Sequence, residues 1–414
     1  MSNSIKLPLH LWYDQEVREF PLPEGWKTTI HNFAGSGTPE LKADQIREAV
    51  RKPIGMPPLR EYARGKKEAV IIFDDMTRGG RPYQIVPYIL EELAEAGFTD
   101  DRIRFIAGVA NHHAMDYPAM AKKLGKDIVE RFAVYNHCPF LNCTEIGTTS
   151  YGTKAFINAE VMYCDLKIVV GQILPHVQYG FSGGPKLIVP GVSSYETVTD
   201  HHSRTHEKWK AEQREKGVQL IGRPGSPIHS DAMEIARMAG LDMIVNTLTN
   251  GSGEIAGIFA GALDAAYPEA VKAASKHYPC ENTRDSDIVI SNNFTKAGEF
   301  NMGLSGMQAI RPEGGSLLLV ASSPVGQVIH YLFDRFGKTI TGNVSHAMPL
   351  PPHVKKLVMY NEYPEAKILR KFVPTDKLGQ TDDWQEAIDI LTEVHGPEAR
   401  VAVYPNADTQ FFKD

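Results

Sequence analysis

The 414-residue chain is poor in cysteine, with only Cys138, Cys143, Cys164 and Cys280. None forms a CxxC pair, and the step from Cys138 to Cys143 is too wide for a usual zinc knuckle. Reduced, structural thiols in a cytoplasmic protein are therefore expected. No apolar run approaches the roughly 20 residues that cross a membrane. The first residues, MSNSIKLPLHLWYDQEVREF, lack the apolar core of a secretion signal, because Pro8, His10 and Asp14 interrupt it. Basic charge is also scarce: 44 Lys and Arg face 50 Asp and Glu, a formal net charge of −6. That balance argues against a general nucleic-acid binder, which needs a basic face. HExxH and GxxxxGK[ST] are both missing, so neither a zinc hydrolase nor an ATP loop is implied.

What is present is an alternation of strand and helix patterns. LHLWY and VREFPLP read as a small β start, and residues 41–52 as a helix with Leu41, Ile46 and Val50 on one face. EAVIIFDD (68–75), RIRFIAGVA (102–110) and VMYCDLKIVVGQILP (161–175) each contain a buried strand running into polar residues. Between the first two lies a helix opened by Pro82, with Pro87 expected to kink it and Gly97 to stop it. AMEIARMAGLDMIVNTL (232–248) continues the helix–strand alternation. Strands recur at SDIVISNN (286–293), GSLLLVASS (315–323) and ARVAVYPNA (399–407). The pattern predicts an α/β protein of two domains, each a mostly parallel sheet flanked by helices. A polar stretch near 271–285 divides it into an N-terminal unit, 1–270, and a C-terminal unit, 271–414, closing over the site.

Ligands of open parallel sheets sit beyond the carboxyl ends of the strands. Polar residues collect there in three successive loops. The first holds Asp74, Asp75, Thr77, Arg78 and Arg81, where arginine suits a phosphate or carboxylate. The second holds His112 and His113, of which only one is expected to face a site, since neighbours on an extended segment point oppositely. The third, GQILPHVQYGFSGGPKLIVPG, carries His176 at a strand end. Its small-residue turn, Ser182, Gly183 and Gly184, is suited to an anion, and Lys186 lies beside apolar residues that favour its neutral form. Further on, Asp200, His201, His202 and His206 could cluster around a metal.

These residues resemble the nickel-dependent lactate racemase family. The likeness is most specific over residues 145–202, where PH-x4-GFSGG-x-K-x3-PG is followed by a distal histidine. A D-x-T-R element appears as Asp75, Met76, Thr77 and Arg78, and a G-x-H-R-like loop, altered, as Ala110 to His113. IAGIFAGALDAA (255–266) also looks family-like. The resemblance implies two α/β domains with the active site in the cleft between them. It implies a nickel pincer nucleotide attached covalently to Lys186, with His202 as a ligand of Ni(II), in preference to His201. It gives proton transfer to His112 and His176, and cofactor binding to Asp75, Arg78 and the Ser182–Gly184 turn. The reaction implied is inversion at C2 of a 2-hydroxy acid by reversible hydride transfer.

The chain departs from the lactate racemases at Gly79–Gly80, after Thr77–Arg78, and at His113. Their substrate-binding Gln and Lys have no aligned counterpart in NNFTKAGEFNMGLSG (292–306), where Lys296 is the only lysine. His113 and Lys296 are candidate substrate contacts. A larger or more polar acid than lactate, such as a sugar acid or a hydroxydicarboxylate, stays open. Expected partners are a small 2-hydroxy acid and separate cofactor-synthesis enzymes, with no nucleic acid and no membrane, and a homo-oligomer is compatible. Two other readings stand beside this one: a metal-dependent hydrolase or lyase using His112, His113, His176 and His202, and a non-catalytic binder of a nucleotide or sugar acid.

Overall fold

The structure, a computed structural model, describes residues 3–203, 221–332, 348–365 and 372–413. Twelve strands build two six-stranded sheets. In chain order they are β1 (Trp26–Ile30), β2 (Ala69–Phe73), β3 (Ile103–Ala107), β4 (Ala133–Asn136), β5 (Leu166–Gln172) and β6 (Met243–Thr249). They continue with β7 (Ile255–Gly261), β8 (Ile288–Asn292), β9 (Gly315–Val320), β10 (Val354–Tyr360), β11 (Leu378–Thr381) and β12 (Ala399–Tyr404). The first sheet runs β7-β6-β5-β2-β3-β4, with only β7 antiparallel. The second runs β11-β10-β9-β8-β12-β1 and is parallel throughout.

Strand β2, AVIIF, is wholly buried, as a central strand covered on both faces must be. Its residues divide by the two-residue period: Val70 and Ile72 join one apolar cluster, Ala69, Ile71 and Phe73 the other. Helices α1 (Ala43–Arg51) and α2 (Val86–Glu95) cover the second of these faces. Pro87 lies in the first turn of α2, where its missing N–H has no helical partner to lose. The helix thus starts at this proline, and the kink expected within a longer helix is not formed. A 3-10 turn, Pro82–Gln84, precedes it.

The cluster on the first face of β2 also takes in Val289, Leu317, Leu319 and Ala402, so one apolar layer is shared by both sheets. The far face of the second sheet is closed by α3 (Trp384–His395) and by a hairpin, Ser4–Leu9 with Glu16–Pro21. Asn292 anchors the hairpin through a bond from Nδ2 to the Pro8 carbonyl, 2.8 Å. Residues 4–30 therefore pack with the second sheet, and β1 is its edge strand. The hairpin and β1 thus pack with the second sheet although they stand early in the chain. Covalent order misleads here because β1 pairs with β12, at the other end of the chain.

Candidate active site

The loops after β2, β3, β5, β8 and β9 line one cavity of about 420 Å³. It lies beyond the carboxyl ends of strands from both sheets. Gly171, near the end of β5, keeps its floor open: a Cβ there would stand 2.8 Å from Leu187 Cδ1.

One wall is ionic. The chain turns directly after β2, and Asp75 Oδ1 accepts from the Thr77 N–H at 3.0 Å. This Asx turn sets Asp75 Oδ2 2.6 Å from His112 Nδ1. His112 Nε2 lies 3.8 Å from Glu299 Oε1, and Glu299 Oε2 lies 3.2 Å from Arg78 Nη1. Burial alone would raise the Asp75 carboxyl, but His112, Arg78 and Thr77 outweigh it and hold it far below the usual range. Glu299 behaves likewise: burial is overcome by Arg78, Lys296 and His112, so it stays ionised. The His112 loop is tied to the other half of the molecule. Tyr331 N–H donates to the Asn111 carbonyl at 2.8 Å, and a lone β-bridge joins His112 to His330.

A second group of lining residues is neutral. Lys186 Nζ lies 3.0 Å from His176 Nε2 and 3.7 Å from the centre of the Tyr179 ring. His176 Nδ1 accepts from the backbone N–H groups of Gln178 and Tyr179, at 3.2 and 3.3 Å. In the neutral ring the proton therefore sits on Nε2 and points at the Lys186 amine. Burial, aided by Arg78 and Lys296, pushes the Lys186 amine well below its ordinary value. Burial also lowers His176 strongly, and the cationic Lys296 and Arg78 add to it.

Tyr179 is fixed from behind. Its hydroxyl lies 2.6 Å from His201 Nε2, and His201 Nδ1 lies 2.7 Å from Asp231 Oδ2. His201 is fully buried, with both ring nitrogens engaged behind the wall, whereas His202 lines the cavity. His202 Nδ1 donates to the Val198 carbonyl at 2.8 Å, which leaves Nε2 as its basic nitrogen.

Of the sequence candidates, Asp75, Arg78, His112, His176, Ser182, Gly183, Lys186 and His202 all line the cavity. Gly184 does not: its N–H donates to Asn246 Oδ1 at 2.9 Å. Ser182 spends its N–H on the Leu174 carbonyl, and its hydroxyl lies 2.9 Å from the Leu174 N–H. The turn is thus tied into the fold, and much of its donor capacity is turned away from an anion. His113 faces away, into a neighbouring chamber, where its Nδ1 accepts from the Ile329 N–H at 3.3 Å. Lys296 stands behind the wall, with Nζ 3.9 Å from Glu299 Oε2. His206 lies outside the described residues. Among the described residues no three His, Cys, Asp or Glu side chains converge as a metal-binding group. Sequence reading misses Glu299, Tyr179, His330 and Asp231. The strand-end rule, applied to the loop after β8 (Ile288–Asn292), would have found Glu299.

Residues 13–214 match the family model described as the lactate racemase N-terminal domain. A lactate racemase of Lactiplantibacillus plantarum is 30% identical over 290 residues, 68% of this chain and 66% of that protein. The chain belongs to the lactate racemase family. Another relative so named, from Thermoanaerobacterium thermosaccharolyticum, is 29% identical over 323 residues, 76% of this chain and 74% of its own length. Membership of the lactate racemase family makes the chain an enzyme of the isomerase class. The fold agrees: the lactate racemase apoprotein from Thermoanaerobacterium thermosaccharolyticum superposes with a TM-score of 0.73 at 22% identity, covering 100% of both chains. A crystal structure of a Thermotoga maritima protein gives 0.66 at 17% identity, covering 90% of this chain and 99% of that one.

Proposed function

We propose that the chain racemises or epimerises a 2-hydroxy acid in the cavity between its two α/β units, with His112 and His176 as its acid–base pair. The observation that carries this reading is the convergence of His112, His176, Lys186 and His202 on one cavity, with the two histidines in chemically unlike surroundings.

The residues fit the nickel pincer nucleotide that the family resemblance implies. An amine kept neutral by burial suits covalent attachment, which assigns Lys186. An imidazole with Nδ1–H committed to a backbone carbonyl suits one Ni(II) ligand, the role given to His202. A cavity of about 420 Å³ falls within the usual range for cofactor sites. When bound, that group supplies the nickel and a ring carbon able to accept and return hydride.

The chain's own residues position the substrate and move its hydroxyl proton. Asp75 holds the proton of His112 on Nδ1, so Nε2 takes the hydroxyl proton of one enantiomer. His176 presents Nε2 from its own side of the cavity; to take the mirror-related hydroxyl proton its ring must carry its own proton on Nδ1, giving up the bonds from the Gln178 and Tyr179 N–H groups. Arg78 keeps the cofactor-binding role that the resemblance gives it, and Lys296, behind Glu299, adds positive charge toward the substrate carboxylate. Tyr179 packs beneath Lys186, and the His112–His330 bridge ties the His112 loop to the loop after β9. A cytoplasmic location and separate cofactor-synthesis enzymes belong to the same reading.

The test is inversion at C2, followed by chiral chromatography on a panel of 2-hydroxy acids with nickel-loaded protein. The expected outcome is approach to an equilibrium mixture from either isomer of at least one acid. Protein that carries the lysine adduct yet neither inverts any of them nor exchanges the C2 hydrogen contradicts the reading.

A further inference from the structure

We propose that Glu299 sets the substrate class: the site takes a 2-hydroxy monocarboxylate whose remaining carbons carry hydroxyl groups, and it rejects a second carboxylate. This rests on the racemase reading above and goes beyond it, because it chooses between a sugar acid and a hydroxydicarboxylate.

Glu299 lines the cavity and stands 3.8 Å from the His112 nitrogen that would take the substrate's hydroxyl proton. Its carboxylate therefore borders the space that the carbons next to C2 must enter. A carboxylate only accepts hydrogen bonds. A hydroxyl on the adjoining carbons can donate to it; a methyl group or a second carboxylate cannot.

Charge counting points the same way. Around the substrate space stand two cations, Arg78 and Lys296, and two anions, Asp75 and Glu299. Asp74, the next carboxyl, is already matched by Lys123 at 2.7 Å. A second carboxylate on the substrate would add an anion beside Glu299, where an unpaired buried charge is costly.

There is also room for a tail. A second chamber of about 290 Å³ adjoins the first and shares Asp75, His112, Gly298 and Val328 with it. Its walls mix the rings of Trp12, Tyr13 and Phe294 with the polar side chains of Thr295, Ser322 and Ser323. Such a mixture suits a hydroxylated carbon chain, whose C–H edges rest on rings while its hydroxyls bond to polar groups. Trp12 is held in place by its Nε1–H, which donates to the Arg78 carbonyl at 3.2 Å.

The experiment compares lactate, D-gluconate and malate as probes, by C2 inversion with the holoenzyme and by calorimetric binding to the same protein. Gluconate should exceed both others at least tenfold in kcat/KM and in affinity. E299Q should shrink the gluconate-to-lactate ratio at least fivefold, mainly through KM, and should raise the rate with malate. Malate as the best substrate of the unaltered enzyme, or an unchanged ranking in E299Q, overturns the proposal. Should none of the three be inverted, the racemase reading is what suffers, and the calorimetric ranking of gluconate against malate still decides for or against Glu299.

Discussion

On one wall of the cavity His112 lies 2.6 Å from Asp75 and 3.8 Å from Glu299. On the other, His176 lies 3.0 Å from a lysine that burial holds neutral. The residue type is the same, and the surroundings are opposite. A proton on His112 is paired with carboxylates, whereas a proton on His176 faces burial and neighbouring cations. The two imidazoles therefore meet the substrate with unlike neighbours. The difference arises in the strand-end loops. The loop after β2 brings charge to His112, and the loop after β5 wraps His176 and Lys186 over the buried Tyr179.

If the walls play paired roles, each histidine is indispensable. His112→Asn and His176→Asn should each lower kcat for inversion on the order of 10²–10⁴-fold. Steady-state rates in both directions check this, and a large loss in only one of the two variants would break the comparison.

The ionic wall should also depend on its orienting carboxylate. Asp75→Asn should lower kcat roughly 10–100-fold, as loss of a group that orients a functional histidine does. The neutral wall offers the contrast: Tyr179→Phe keeps the ring but leaves buried His201 without its hydroxyl partner, so stability should fall by about 1–3 kcal/mol in urea titrations.

Burial of neutral histidines gives the smallest effect, spread over the fold. His176 and His201 are lowered, and His137 and His229 are lowered to about 4, by burial first in each case. Below pH about 6.5 the unfolded chain binds protons there that the folded chain refuses. Stability should therefore be nearly flat above pH 7 and fall as pH drops from about 6.5 toward 4. The depressed carboxyls Asp75 and Asp231 act lower: their contribution is present above about pH 3.9 and is lost only beneath it. Urea midpoints at several pH values check the slope, and His137→Gln should flatten it.

Much of this architecture is readable from the chain. Buried strands such as AVIIF announce a parallel sheet, and strand ends running into polar residues locate the loops that meet at the cavity. The resemblance separates His202 from His201, and the structure shows why the two differ: one lines the cavity, the other is spent on Asp231 and Tyr179. What is not readable is long-range. The pairing of β1 with β12 has no local signal. Glu299 sits before a 3-10 segment, Phe300–Ala309, whose period matches neither helix nor strand, so Lys296 draws attention instead. Pro87 invites misreading because an N-terminal proline and a kinking proline look alike until the helix start is known.

The claim beneath all of this is that Lys186 and His202 hold one nickel-bearing nucleotide. Mass spectrometry of the intact chain, produced together with the cofactor-synthesis enzymes, tests it most directly. The account predicts a mass increase mapping to Lys186, lost in Lys186→Ala, together with stoichiometric nickel that His202→Ala fails to retain. An active protein whose Lys186 is unmodified would contradict it.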